Sequence, residues 1–107
     1  MHDIAQLGLP TLNELSLAYR DASLTTHTCI EKLLQHIQRC DRPEIWIARV
    51  DDASLFARAQ ALDLLFKQEG AAVFQRYPLF GIPFAVKDNI DVAGMPTTAA
   101  CPAFSYT

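Results

Sequence analysis

One lysine, Lys87, closes the apolar run Ile82-Pro83-Phe84-Ala85-Val86, and Asp88, Asn89 and Asp91 follow it closely. An ammonium buried in an apolar strand loses its proton more readily than one in water, and the neutral amine left behind can act as a base. The residues alone leave two readings open. Lys87 is either a base for a nucleophile, or a strand-end lysine whose stem follows the apolar surface while its ammonium reaches water, Asp88 or Asp91. A lysine at a strand edge also discourages aggregation. Asp88 and Asp91 have the look of paired carboxylates, yet "DNIDVAGMP" reads as a turn or loop punctuated by Gly94 and Pro96. Aspartate and asparagine in turns commonly bond nearby backbone, so Asp88, Asn89 and Asp91 are expected to shape the loop.

The remaining nucleophilic and metal-binding types are sparse. Cys29, Cys40 and Cys101 are odd in number and contain no CxxC pair, which argues against a disulfide framework and for reduced thiols, hence a cytoplasmic setting. His36 and Cys40 stand at i, i+4 and share a helix face, but two ligands without a third make a poor metal site. Cys101 precedes Pro102 in what reads as a constrained loop, with no histidine motif to activate it, and packing is its expected role.

Bulk properties narrow the class. The 107 residues are half hydrophobic and one-fifth charged, with a formal net charge of -3. That is the composition of a globular chain. No lysine or arginine run exists, so neither nucleic acid nor an anionic membrane is an expected partner. "MHDIAQLGLP" lacks both a basic region and a continuous apolar segment, so no signal peptide is expected, and no apolar run approaches the length of a membrane span.

The elements that must position Lys87 can be read from period and punctuation. Thr11 and Glu14 have capping-box spacing, and Leu12, Leu15, Ala18 and Tyr19 continue at helical intervals. Asp21–Leu24 reads as a short connection. Thr25 is a plausible N-cap for a second helix to about Cys40, with Ile30, Leu33, Leu34 and Ile37 as its apolar stripe. "CDRP" stops it, because Pro43 disfavours helical geometry at Arg42. Ile45, Trp46, Ile47 and Val50 read as a short strand. "DDASLFARAQALDLLFKQEG" returns to helix, with a stripe of Leu55, Ala59, Leu62, Leu65 and Phe66 and a stop at Gly70. In the Lys87 segment, a strand would turn Ile82, Phe84 and Val86 to one side and Pro83, Ala85 and Lys87 to the other. Two short strands make a poor sheet by themselves, so the chain reads as the opening portion of a larger α/β protein.

"GIPFAVKDNIDVAGMPTT" closely resembles the amidase signature family, whose members share G-I-P-x-x-x-K-D followed by N-I-x-x-x-G-x-x-T-T. The matching residues are Gly81, Ile82, Pro83, Lys87, Asp88, Asn89, Ile90, Gly94, Thr97 and Thr98. The resemblance is strong over Pro78–Phe104 and looser before it. "PTTAACPAF" resembles the allophanate-hydrolysing branch, since many other members run from the paired threonines into glycine-serine. The resemblance implies a fold in which 1–107 is the N-terminal part of an amidase signature domain, helical over about 11–69, with the lysine-bearing strand and loop at about 78–107 entering a mixed sheet. It implies a small amide as substrate, no cofactor and no metal. It makes Lys87 the lysine of a Ser–cisSer–Lys triad. The chemistry agrees, because a serine hydroxyl needs a base within hydrogen-bond reach and a lysine serves only when neutral.

The family's glycine- and serine-rich stretch, which carries both serines, does not occur in residues 1–107. The chain alone is therefore expected to be inactive, and Lys87 to be less covered than in a complete domain. Uncovered stripes and an unpaired strand edge lead to an expected homo-oligomer. Other members of the family, including the tRNA-dependent amidotransferase subunit, and a non-catalytic helical interaction module remain alternative readings.

Overall fold

The structure is a computed structural model, and it describes residues 10–40, 42–101, 103 and 105–107. The readings made at 1–9, at Asp41 and at Pro102 and Phe104 lie outside these residues.

Helix α1 spans Leu12–Arg20. Its start is fixed by a complete capping box: the Glu14 amide donates to Thr11 Oγ1 at 3.1 Å and the Thr11 amide donates to Glu14 Oε1 at 3.2 Å. These bonds satisfy donors that the first helical turn would leave unpaired. Leu15, Ala18 and Tyr19 are buried, whereas Leu12 stays exposed at the entry. The chain leaves through Ala22, whose φ is +63°, and the Ser23 amide donates to Asp21 Oδ1 at 2.8 Å to hold that turn.

Helix α2 spans Thr26–Cys40 and α3 spans Asp52–Glu69. The Thr28 amide donates to Thr25 Oγ1, which confirms Thr25 as a cap. A second cap comes from a distance: Asp63, on α3, accepts from the amides of Thr26 at 2.7 Å and His27 at 3.1 Å. A carboxylate at a helix N-terminus satisfies orphan donors and meets the positive end of the dipole, so Asp63 both caps α2 and locks it onto α3. Asp51 caps α3 through the Ser54 amide at 2.9 Å, and Gly70, at φ +63°, ends it. Both apolar stripes fall where their spacing put them. Ile30 and Ala59 are buried, and their companions on each stripe are half-buried.

After the short turn Gly70–Ala72, helix α4 (Val73–Arg76) drops Val73 and Phe74 into the core. The core gathers Leu15, Ala18, Tyr19, Leu24 and Cys29 with Val73, Phe74 and Phe80. Its rings meet edge to face, Tyr19 with Phe80 at 6.0 Å and Phe74 with Phe80 at 5.5 Å, the arrangement the ring quadrupole favours.

The expected strands do not form. Among the described residues the only β pairing is an isolated antiparallel bridge between Thr97 and Tyr106. Pro43–Ile45 is a 3-10 turn, closed by the Ile45 amide on the Arg42 carbonyl, and Trp46–Val50 is irregular. Ile82–Lys87 is likewise irregular. The physical reason is shared: a strand is stabilised by a neighbour that takes its amides and carbonyls, and neither segment has one here. Pro83 removes one ladder donor as well. The α/β, mixed-sheet expectation is therefore not met among the described residues, which form helices to Arg76 and turns and irregular chain beyond, with no strand. The in-and-out alternation read for Ile82–Lys87 fails with it, since Phe84 is 86% exposed.

Candidate active site around Lys87

The Lys87 segment is tied to the helices at its start. Tyr19 Oη donates to the Gly81 carbonyl at 2.7 Å, a bond across 62 positions of sequence. Burial is the main reason the Tyr19 phenol is pushed far above its ordinary pKa, so it stays a neutral donor. Gly81 has φ +71° and lies against the tyrosine ring. Phe80 is buried beside Tyr19, so residues 80 and 81 together fix where the segment departs.

From that anchor the chain follows one wall of an open groove of about 1520 Å³. The stripes of α2 and α3 line the same groove, among them Leu33, Ile37 and Leu62. Lys87 lines the groove together with Phe84, Val86, Ala99 and Ala100. The lysine itself is exposed. This corrects the reading of a buried strand on both of its faces. Val86 and Phe84 are exposed as well, because no sheet neighbour covers them.

The loop beyond Lys87 is built on two aspartates. Asp88 Oδ1 accepts from the Thr98 amide at 3.2 Å, and Asp88 Oδ2 accepts from Thr98 Oγ1 and from the Ala100 amide at 3.3 Å. The Asp88 carbonyl also accepts from the Ala99 amide at 3.2 Å. Asp91 Oδ1 accepts from Thr97 Oγ1 at 3.0 Å and from Tyr106 Oη at 2.6 Å. Loop-shaping by Asp88 and Asp91 is thus what the structure displays: Asp88 holds Thr98, Ala99 and Ala100, and Asp91 holds Thr97 and Tyr106. Ala99 and Ala100 have φ of +49° and +61°. The left-handed region costs an alanine about 1–2 kcal/mol, so the Asp88 bonds hold two residues where they would not rest unaided.

Electrostatics follow from these contacts. The Thr98 hydroxyl is the largest influence holding the Asp88 carboxyl below its ordinary pKa. The Asp91 bond raises the Tyr106 phenol. For Asp88 the sign is clear: a carboxyl whose folded pKa is depressed contributes its clamp fully above the unfolded value, about 3.9, and loses it as pH falls through the lower folded value. On acid titration the backbone amide shifts of Thr98 and Ala100 should therefore move together, with a midpoint below about 3.9. A midpoint above that value would show that Asp88 does not hold the turn.

The other candidates are not assembled into a site. Cys40 Sγ lies 3.5 Å from His36 Nε2 on the exposed face of α2, as the i, i+4 spacing requires. No group of three or more metal-binding side chains occurs among the described residues. Cys29 is buried, which raises its thiol pKa and disfavours the thiolate, while Cys101 is exposed. No helix is long and apolar enough to cross a membrane.

Against known proteins, the family model described as Amidase matches residues 28–107, which include α2 from its third residue, α3, nearly all of the groove lining and the whole Lys87 loop. The chain belongs to the amidase family. Its relatives include the urea amidolyases of Lachancea kluyveri, 38% identical over 76% of the chain, and of Saccharomyces cerevisiae, 40% identical over 72%. The mandelamide hydrolase of Pseudomonas putida is 35% identical over 89% of the chain. The chain spans 4% of the length of each urea amidolyase and 18% of the mandelamide hydrolase. No solved structure matches it.

Proposed function

We propose that the full-length polypeptide carrying this amidase sequence hydrolyses allophanate, and that Lys87 is the base of its Ser–cisSer–Lys triad. The observation that carries the reading is the placement of Lys87, within "GIPFAVKDNIDVAGMPTT", on the wall of an open groove inside a region similar to urea amidolyases. In this scheme neutral Lys87 accepts a proton relayed through the bridging serine as the nucleophilic serine attacks the amide carbonyl. The resulting ammonium returns a proton to the leaving nitrogen. Both serines and the oxyanion donors come from sequence beyond residues 1–107, as does the cover that makes Lys87 a base and the sheet neighbour that gives Ile82–Lys87 its partner.

A second substrate class has its own support in the similarity to mandelamide hydrolase, which covers more of the chain than either urea amidolyase does. Ammonia release from allophanate and from mandelamide, measured side by side with the full-length protein, separates the two. The expected result is turnover of allophanate with a kcat/KM at least about tenfold above that for mandelamide, the ratio set by roughly 1.4 kcal/mol of differential transition-state binding. The reverse preference would overturn the allophanate assignment. Residues 1–107 alone should release no ammonia from either compound, because a base without a nucleophile cannot complete acyl transfer.

A further inference from the structure

Four hydrogen bonds converge on the residue that follows Lys87. The amides of Thr98, Ala99 and Ala100 and the Thr98 hydroxyl all donate to Asp88, three of them to its carboxylate and one to its carbonyl. A further bond, from the Ile90 amide to the Lys87 carbonyl at 3.0 Å, closes a turn directly beyond the lysine. Nothing comparable holds the Lys87 side chain, whose amine makes no hydrogen bond or ion pair among the described residues. Its position in the groove is therefore set at its root, by the backbone. That backbone is held by Asp88.

We infer that Asp88 is a positioning residue for Lys87: its carboxylate pins the Thr98–Ala100 turn against the Lys87 main chain and so fixes the point from which the base reaches into the groove. The inference rests on Lys87 being the base. A lysine side chain has four rotatable bonds, and proton transfer demands hydrogen-bond geometry. A shift of about 1 Å at its root is enough to cost about 10²-fold in rate. The geometry also explains why two consecutive alanines are held at positive φ: the turn must present the Ala99 and Ala100 amides to one aspartate at once. Asp91 does not share this role. It clamps Thr97 and Tyr106, further from the lysine.

Two acceptor oxygens at this reach, rather than charge alone, are what this role requires, and that makes it testable in the full-length enzyme. Asp88→Asn presents an amide nitrogen where an acceptor is needed. Asp88→Glu keeps the charge but lengthens the arm. Each should lower kcat about 10²-fold, the cost of a misplaced base, while KM changes less than about threefold. Thr98→Val removes one donor and should lower kcat about tenfold, whereas Thr98→Ser, which keeps the hydroxyl, restores most of that loss. Because the Thr98 hydroxyl, which also accepts from the Ala100 amide at 3.2 Å, acts within the same turn that Asp88 holds, the Asp88→Asn/Thr98→Val double variant should lose less than the product of the two single losses. Should Asp88→Asn fail to fold, the Thr98 pair carries the test by itself. Near-normal kcat in Asp88→Glu would assign the effect to charge and overturn the inference. So would multiplying losses in the double variant, or a Thr98→Ser variant as slow as Thr98→Val. An active Lys87→Ala enzyme would overturn the base assignment and this inference with it. An inactive Lys87→Ala enzyme beside a fully active Asp88→Asn enzyme would overturn this inference alone.

Discussion

Lys87→Ala in the full-length enzyme should lower kcat by about 10³-fold or more while thermal unfolding is almost unchanged. The magnitude is that of a general base removed from a machine whose parts act together. The unchanged unfolding follows from the position. The Lys87 amine makes no hydrogen bond or ion pair among the described residues, so its removal breaks no contact that holds the helices together. The two readouts decide between the readings of this lysine. A strand-end lysine kept for solubility would be replaced with little effect on turnover. A structural lysine would lower the unfolding temperature along with activity. Turnover within about threefold of the unmodified enzyme would overturn the base assignment, given that a working base contributes about 10²-fold at the least.

Gly81→Ala should be among the most destabilising single substitutions in the chain. A Cβ at this position would lie 2.7 Å from Tyr19 Cε2 and 2.8 Å from Cζ. Tyr19 is 2% exposed, so its ring cannot swing aside without disturbing Phe80 and the rest of the core. The φ of +71° adds strain for any residue with a side chain. Left-handed strain of about 1–2 kcal/mol and overpacking of about 1–3 kcal/mol together give roughly 2–5 kcal/mol. That is a large share of the stability of an ordinary domain. Gly94→Ala is the control, since its φ is +78° but nothing lies within 4 Å of the added carbon. It should show only the strain. Denaturant midpoints measured for both variants check the argument, and equal losses at the two glycines would remove the Tyr19 contact from it.

The helical part of the chain was legible because its signals are local. Thr11 with Glu14, Thr25, and Gly70 act within one or two turns, and the stripes of α2 and α3 repeat at the helical period whatever surrounds them. What was not legible depended on distance. Asp63 looks like one more polar position on α3, and nothing in its spacing says that it caps α2. Tyr19 reads as a core aromatic, and its bond to Gly81 requires the fold to be known. The two strands were read from period, but a strand is a statement about a neighbour, and alternation at 82–87 cannot supply one. At the site, the role of Lys87 came from the motif and the loop-shaping aspartates from turn chemistry, while the pairing of Asp88 with Thr98 came from neither. The two residues are ten apart and meet only because Ala99 and Ala100 turn the chain back.

The aromatic core stops at Phe80, and from Pro83 onward Thr97 is the only buried position among the described residues. Two kinds of order therefore meet near Gly81. Up to that point amides are protected by packed side chains, and exposing them to solvent exchange means dismantling α1, α4 and their rings together. Beyond it, protection rests on the Asp88 and Asp91 clamps, which can open one loop at a time without disturbing a helix. Lys87 thus sits on the part held by loop clamps, attached to a part held by packed rings. Its alignment can be gained or lost by local unfolding, with the helical platform unaffected.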